Sequence, residues 1–279
     1  MLGERMNTRV EGKSRFESDA SRYAAYLTSP EGRLRTDLAF ANLRDFLPPS
    51  AGVNSLHALD LGGGTGESAM RLAHRGMSVT LLDSSPAMLE LAGRAASETK
   101  FRDQITVKHG DAARLTEIFE ERSFDAILCH NLLEYVDDPV AVLRSAQRLM
   151  RNSSAILSVL VRSQSGEVLK AALKTGDLEA AERNLTADWG EESLYGGRVR
   201  LFVPEALETM LKEASFTIHA RRAVRIVADY LPAQISRSAE YEKIFALEQK
   251  LGQRLEYFGM ARYMQCFASS AIPRSEGVE

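Results

Sequence analysis

The sequence predicts an α/β fold, a mostly parallel sheet with helices on both faces. Three observations carry that expectation. Short apolar runs alternate with helical segments from residue 56 to residue 161, a glycine-rich turn follows the first run, and the second run ends in an aspartate. Parallel strands need long crossover connections, and helices supply them. The chain has 279 residues, 44% hydrophobic and 26% charged, enough for one large domain or one domain with an insertion. A formal charge of −3 gives no overall field for a polyanion, so any nucleic-acid contact needs a local basic patch. Cys129 and Cys266 are isolated and form neither a disulfide framework nor a zinc pattern, so no metal is expected. Residues 1–21 hold no apolar leader, and no stretch reaches the roughly 18 apolar residues of a membrane span. A cytoplasmic setting without a membrane partner is the default expectation.

Taken in order, residues 1–15 are polar and expected to be mobile, and residues 16–30 read as helical or irregular, with Phe16, Tyr23 and Tyr26. Gly32 to Phe46 has helical apolar spacing and stops at Pro48-Pro49. Residues 56–61 form a first strand, Glu67 to Arg75 a helix, and residues 78–83 a second strand. Ser84-Ser85-Pro86 supplies a cap and a first-turn proline for the next helix. Strands are expected at 105–109, 124–129 and 155–161, with a helix from Asp138-Pro139 to Met150. The rhythm breaks at 162–200, where Glu167–Leu173 and Asp177–Leu185 read as short helices and Gly190 to Gly197 as a flexible link. Pro204 to Ala214 is a helix and Phe216 to Val227 a long strand. Tyr241 to Leu255 is a helix with Ile244, Leu247, Leu251 and Leu255 on one face, and Arg262 to Phe267 is the last strand, free to pair antiparallel. The organisation is an N-terminal helical segment over the site (1–50), a ligand-binding core (51–161), a helical insertion or lid (162–200), and a C-terminal part of the same domain (201–279).

The turn Asp60-Leu61-Gly62-Gly63-Gly64-Thr65-Gly66-Glu67 joins a strand to a helix. Glycines there let a ligand approach bare backbone outside the carboxyl end of the strand. A phosphate loop would end in Gly-Lys-Ser/Thr, and Gly66-Glu67-Ser68 lacks the lysine. A dinucleotide fingerprint would have glycine where Glu67 stands, and a carboxylate there opposes a pyrophosphate. The foremost reading is a turn for the uncharged nucleoside and amino-acid parts of S-adenosylmethionine; a purely structural glycine turn, a nicotinamide-dinucleotide site disfavoured by Glu67, and a non-catalytic module that only binds the cofactor are the alternatives. Asp83 at the second strand end suits two ribose hydroxyls, or else caps the following helix. Gly110-Asp111-Ala112 ends the third strand, where a carboxylate or amide meets an adenine edge or merely closes a turn.

Residues 60–66, Asp83, Gly110-Asp111 and Phe124 to Leu128 together resemble class I S-adenosylmethionine-dependent methyltransferases. The resemblance implies a Rossmann-like seven-stranded sheet, mostly parallel with an antiparallel last strand, plus a small helical insertion. Four more segments resemble the bacterial tRNA 5-carboxymethoxyuridine methyltransferases. They are Glu31 to Arg35, Cys129 to Pro139, Ala223 to Leu231 and, loosely, Gly259 to Tyr263. The resemblance implies cofactor contacts from Arg35, Gly62, Gly63, Asp83, Ala112 and His130, and the glycine turn and strand ends add Asp60, Gly64 and Asp111 as cofactor-binding candidates. It also implies a carboxylate on a modified wobble uridine as acceptor. Arg35 has a planar fork suited to a carboxylate, His130 ends the fourth strand, and Tyr135 stands where the family has tryptophan. One segment departs: residues 188–195 are acidic here, where that family is lysine-rich. Arg198 and Arg200 remain, and Arg221, Arg222 and Arg225 form a second basic group. The partner is therefore tRNA or, alternatively, a small-molecule acceptor. A carboxylate acceptor is already ionised at pH 7 and needs a cation rather than a base. Arg225 is the first candidate, with Arg200 and Arg262 in reserve. A neutral acceptor would need a base, for which His130 is the candidate.

Overall fold

The computed structural model describes residues 19–48, 56–192 and 196–271. The expectations for residues 1–15, Phe16, Pro49 and the Ser193 to Tyr195 part of the acidic segment lie outside the described residues. Two helices come first, α1 (Ala20–Thr28) and α2 (Pro30–Arg44). The alternating core follows: β1 (His57–Leu61), α3 (Glu67–His74), β2 (Ser78–Asp83), α4 (Pro86–Ser97), β3 (Ile105–His109), α5 (Leu115–Ile118), β4 (Ala126–His130), α6 (Pro139–Leu149) and β5 (Ile156–Arg162). The insertion holds α7 (Gln164–Leu169), a π-helical turn (Lys170–Thr175), α8 (Leu178–Asn184), β6 (Trp189–Glu191) and β7 (Arg198–Arg200). The chain continues through α9 (Pro204–Glu213), β8 (Phe216–Val224), α10 (Tyr241–Gly252) and β9 (Tyr263–Ser270).

The main sheet has seven strands in the order β3-β2-β1-β4-β5-β9-β8. All pairings from β3 to β5 are parallel, and β9 runs antiparallel to both β5 and β8. This is the Rossmann-like sheet expected, with the last strand of the chain inserted beside β5. Strands β1, β4 and β5 are buried almost end to end, as strands covered on both faces must be. On one face Leu115, Val142, Leu143, Leu207 and Leu211 from α5, α6 and α9 cover the sheet. On the other, Leu43, Ala69, Leu72, Leu89 and Ala92 from α2, α3 and α4 do so. Each fully buried leucine stabilises by about 1.5–3 kcal/mol.

Helix starts follow local chemistry. Pro86 and Pro139 sit in first turns, while the Ser85 hydroxyl accepts from Met88 N and an Asp138 oxygen accepts from Ala141 N. Ser29 ends α1 and caps α2 by accepting from Gly32 N at 3.1 Å. A Cβ on Gly32 would lie 2.1 Å from Tyr26 O, so this glycine lets α1 fold back tightly on α2.

Three sequence expectations are corrected. Gly190 to Gly197 is not simply a flexible link: its described ends pair in the antiparallel ribbon β6–β7, with Glu192 N donating to Gly197 O. Val199 is buried there, and Trp189 lies against Arg198 and Arg200. In α10 the inward face is Tyr241, Ile244, Glu248 and Gly252, whereas Leu247 and Leu255 are exposed. The helix packs where Gly252 touches β8 rather than along its leucines. The β8 strand stops at Val224, because Arg225 adopts φ 61° and turns the chain. Glu248 then accepts from the amides of Ile226, Val227 and Ala228 at 2.7–2.9 Å and holds that turn.

A helix-end glycine exchanged for alanine usually gains up to about 1 kcal/mol. Gly252→Ala is expected to reverse that sign, because its Cβ would lie 2.5 Å from Ala223 O. A loss of about 1–3 kcal/mol, read as a lower urea midpoint at unchanged slope, is the expected result.

Candidate functional site

The carboxyl ends of β1, β2, β4 and β5 open onto one cavity of about 490 Å³. At one end stands the glycine turn. Gly62 and Gly63 amides both donate to Leu82 O, and Gly64 N donates to Asp83 Oδ2 at 2.9 Å. Asp83 Oδ1 accepts from Ser85 N at 2.9 Å. One carboxylate thus ties the turn to the start of α4. Gly62, Gly64 and Gly66 have φ of 64°, 53° and 85°, values that L side chains rarely adopt. A Cβ on Gly63 would meet Leu81 at 2.6 Å and Asp60 Oδ2 at 2.9 Å. Gly110, Asp111 and Ala112 line the same end, and Asp111 accepts from Ala113 N.

Asp60 lies behind the turn and also lines a smaller hollow of about 50 Å³, with Arg35, Thr65, His130 and Asn131. Its Oδ2 is buried with no hydrogen-bond partner. Burial first, and the Asp83 charge second, push its carboxyl up to about 7. Arg35 is buried against the rings of Tyr23, Tyr26 and Tyr263 and donates to the Tyr23 hydroxyl at 3.0 Å. No carboxylate among the described residues pairs with it. A buried cation and a buried unpartnered carboxyl oxygen therefore flank one hollow, which fits a zwitterionic amino-acid group.

His130 ends β4 beside this hollow. Its Nε2 lies 2.8 Å from Ser158 Oγ, and Gln265 donates to that same oxygen. Burial, then the Arg35 charge, pulls the imidazole down to about 3, so the ring is neutral and carries one N–H. The Ser158 hydroxyl occupies Nε2 in either tautomer.

The opposite end of the cavity is built from arginines and acids. Arg225 is buried; it pairs with Asp229 and donates to the Tyr26 hydroxyl at 3.0 Å. Arg162 pairs with Glu192 and with Glu167 at 3.4 Å. Arg262 reaches Glu167 at 2.7 Å and Asp229 at 4.0 Å. Tyr263 lies among them. Burial alone would raise its phenol, but Arg162, Arg35, Arg225 and Arg262 bring it down to about 8. The potential at that ring is therefore positive.

The structure brings Arg35, Gly62, Gly64, Asp83, Asp111, Ala112, His130, Tyr135, Arg225 and Arg262 to one cavity, with Asp60 and Gly63 at the adjoining hollow. It does not bring Arg200, which stacks on Trp189 outside the cavity. Nor does the second basic group gather, since Arg221 pairs with Glu208 and Arg222 lies over Phe46. Sequence reasoning missed Arg162, Glu167, Glu192, Asp229 and Tyr263 as a group. One signal was present: Arg162 ends the apolar β5 run at the carboxyl edge where ligands bind in such sheets.

Comparison with known proteins agrees with this geometry. Residues 59–158 match the methyltransferase domain family model. The tRNA 5-carboxymethoxyuridine methyltransferase of Escherichia coli K12 is 27% identical over 245 residues, covering 85% of this chain and 88% of its own. A ubiquinone biosynthesis O-methyltransferase of Alkalilimnicola ehrlichii is 26% identical over 225 residues, covering 79% and 83%. Among solved structures, the CcbJ methyltransferase of Streptomyces caelestis superposes with a TM-score of 0.65 at 16% identity, covering 94% of this chain and 99% of that one. Among the described residues, no helix is long and apolar enough to cross a membrane.

Two outcomes are expected. Asp83→Ala, which frees the Gly64 and Ser85 amides, is expected to weaken S-adenosylmethionine binding about 10- to 100-fold by calorimetry. Asp60 has a folded pKa of about 7, raised above its unfolded value, so the native state binds the extra proton. Stability of the ligand-free protein therefore falls as pH rises from about 4 to 7, by up to about 4 kcal/mol. Urea unfolding at pH 5 and pH 8 checks this, and Asp60→Asn is expected to flatten the difference.

Proposed function

We propose that this S-adenosylmethionine-dependent methyltransferase methylates a carboxylate oxygen, that of a 5-carboxymethoxyuridine in tRNA. The observation that carries the reading is the set of four buried arginines, Arg35, Arg162, Arg225 and Arg262, whose charges bring the Tyr263 phenol down and make this end of the cavity suited to an anion. When bound, S-adenosylmethionine supplies an electrophilic methyl group whose transfer to the acceptor makes one C–O bond, breaks one C–S bond and moves no proton. The chain's work is then alignment and charge placement.

In this reading Asp83 accepts the ribose hydroxyls, Asp111 and Ala112 meet the adenine edge, and the backbone of Gly62, Gly63 and Gly64 passes beneath the nucleoside. Arg35 holds the donor's carboxylate and Asp60 faces its ammonium. His130 lines the hollow as a neutral ring. Tyr263 and Arg225 orient the acceptor's carboxylate, while Asp229 and Glu248 hold Arg225 in its turn. Tyr23 and Tyr26 of α1, and Lys170, Lys174 and Glu192 of the insertion, line the cavity. The similarity to the Escherichia coli enzyme supports the nucleoside acceptor.

A small carboxylic acid is the second reading, favoured by the acidic Asp137 and Asp138 along the cavity and by Glu191 and Glu192 on the β6–β7 ribbon. Mass spectrometry of tRNA nucleosides from a deletion strain separates the two. Loss of the methyl ester is the expected result, and an unchanged nucleoside profile overturns the tRNA reading.

The rate profile carries a further prediction. At saturating S-adenosylmethionine, a carboxylate acceptor and a histidine near 3 leave no acid limb in kcat between about pH 5.5 and 7.5, whereas kcat/KM for the donor falls below about pH 7 as Asp60 takes up its proton. Activity is expected to fall above about pH 8, where an ionised Tyr263 phenolate cancels part of the arginine charge. Tyr263→Phe is expected to abolish that alkaline fall. Arg225→Gln is expected to lower kcat/KM by about 30-fold or more, while donor affinity stays within about threefold.

A further inference from the structure

The arginines of the acceptor end are already neutralised by their neighbours. Arg162, Arg225 and Arg262 face Glu167, Glu192 and Asp229, three charges against three. Two more cations line the same end: Lys170 and Lys174, both on the π-helical turn of the insertion. Lys170 reaches only Glu167, at 3.8 Å, a carboxylate already shared by two arginines. Lys174 makes no ion pair among the described residues, although its charge helps to lower the Asp229 carboxyl. Two further acids are nearby: Glu134, whose carboxyl is bound by Arg162 N and Asn131 and raised by burial, and Glu31, which reaches Arg237 at 3.6 Å. With Arg237 included and both acids counted as charged, six cations meet five acids.

The lysines are placed, not merely present. They stand four residues apart and share one face of the turn. The base of that turn is fixed, because a Cβ on Gly166 would lie 2.7 Å from Ala261 O, and the Ser163 hydroxyl donates to Gly259 O. At the far end Gly176, with φ 69°, stops the turn. Lys170 is half-buried inside the cavity and Lys174 is exposed at its mouth. Ammonium groups are compact point charges on flexible stems and suit a tetrahedral anion approached from several sides.

We propose that Lys170 and Lys174 form a second anion subsite, one that takes a phosphate group carried by the same acceptor whose carboxylate is methylated. The acceptor is then a carboxylate with a phosphoryl group attached, met deep in the cavity and at its mouth respectively. This rests on the carboxylate-acceptor reading above and adds to it the anion that sets acceptor selectivity. A phosphate on a nucleotide and a phosphate on a small acid share this chemistry.

The test uses the full chain with S-adenosylhomocysteine bound, and compares it with Lys170→Gln/Lys174→Gln. Lys212→Gln, on α9 away from the cavity, serves as control. The probes are inorganic phosphate by thermal shift, then 5-carboxymethoxyuridine, its 5′-monophosphate and 3-phosphoglycerate by calorimetry. The expected result is a monophosphate bound about tenfold tighter than the nucleoside, an advantage lost in the double variant while nucleoside affinity changes less than about twofold. Phosphate is expected to raise the Tm of the parent and of Lys212→Gln but not of the double variant.

Equal binding of nucleoside and monophosphate by the parent overturns the subsite and leaves the carboxylate reading standing. Lysine-dependent binding of phosphate or 3-phosphoglycerate without any uridine binding keeps the subsite and overturns the uridine acceptor. A double variant that retains both the monophosphate advantage and the phosphate effect overturns the subsite outright, and a parent that binds none of the probes overturns both.

Discussion

The Asp83 carboxylate is the constraint on which the site depends. One oxygen holds the Gly64 amide and the other the Ser85 amide, so a single side chain sets the distance between the glycine turn and the start of α4. Burial raises its pKa, and those backbone amides work against the rise. The glycines make the arrangement possible, since a side chain at Gly63 would strike Leu81 and Asp60. The same bareness that lets the turn pack against β2 leaves open backbone at the edge of the cavity. A ligand placed there meets amides and carbonyls rather than side chains, so one short segment both closes the fold and leaves bare backbone at the cavity.

Charge is distributed along the cavity with a definite direction. The end near Asp83 and Asp111 is acidic, the middle holds Arg35, which pairs with no carboxylate among the described residues, beside a neutral His130, and the far end carries arginines braced by acids. Buried ion pairs contribute little net stability, because desolvation offsets their attraction. Their role here is geometric. Asp229 and Glu167 each meet two arginines, so the guanidinium groups sit in fixed positions around Tyr263 without mutual repulsion pushing them apart. Arg225 lies in the left-handed region and would relax if released. Glu248, reaching from α10 to three consecutive amides, opposes that release.

Much of this was legible beforehand. Alternating apolar runs and capped helices marked β1 to β5 within a residue or two, and the glycine turn with Asp83 marked the site's first wall. Periodicity misjudged α10, because its packing depends on Gly252 meeting the β8 backbone and on a buried glutamate, neither of which a hydrophobic stripe reveals. It also read the ribbon β6–β7 as a link. Three-residue strands are too short to show alternation, and their pairing depends on Trp189 finding two arginines across the strands. The basic group at 221–225 divides because β8 turns neighbouring side chains to opposite faces, sending Arg221 to Glu208 while the turn at Arg225 sends that residue inward.

The sequence by itself determined the fold class, the glycine turn and its aspartate, because those features are local. A strand, a glycine run and a carboxylate at a strand end follow from a few adjacent residues. Only the tertiary structure decided the arginine-rich end of the cavity. Residues 26, 162, 167, 225, 229, 262 and 263 come from four separate stretches and meet because β9 inserts between β5 and β8. Their partnerships, and the charge left over on Lys170 and Lys174, are properties of that meeting and of no segment alone.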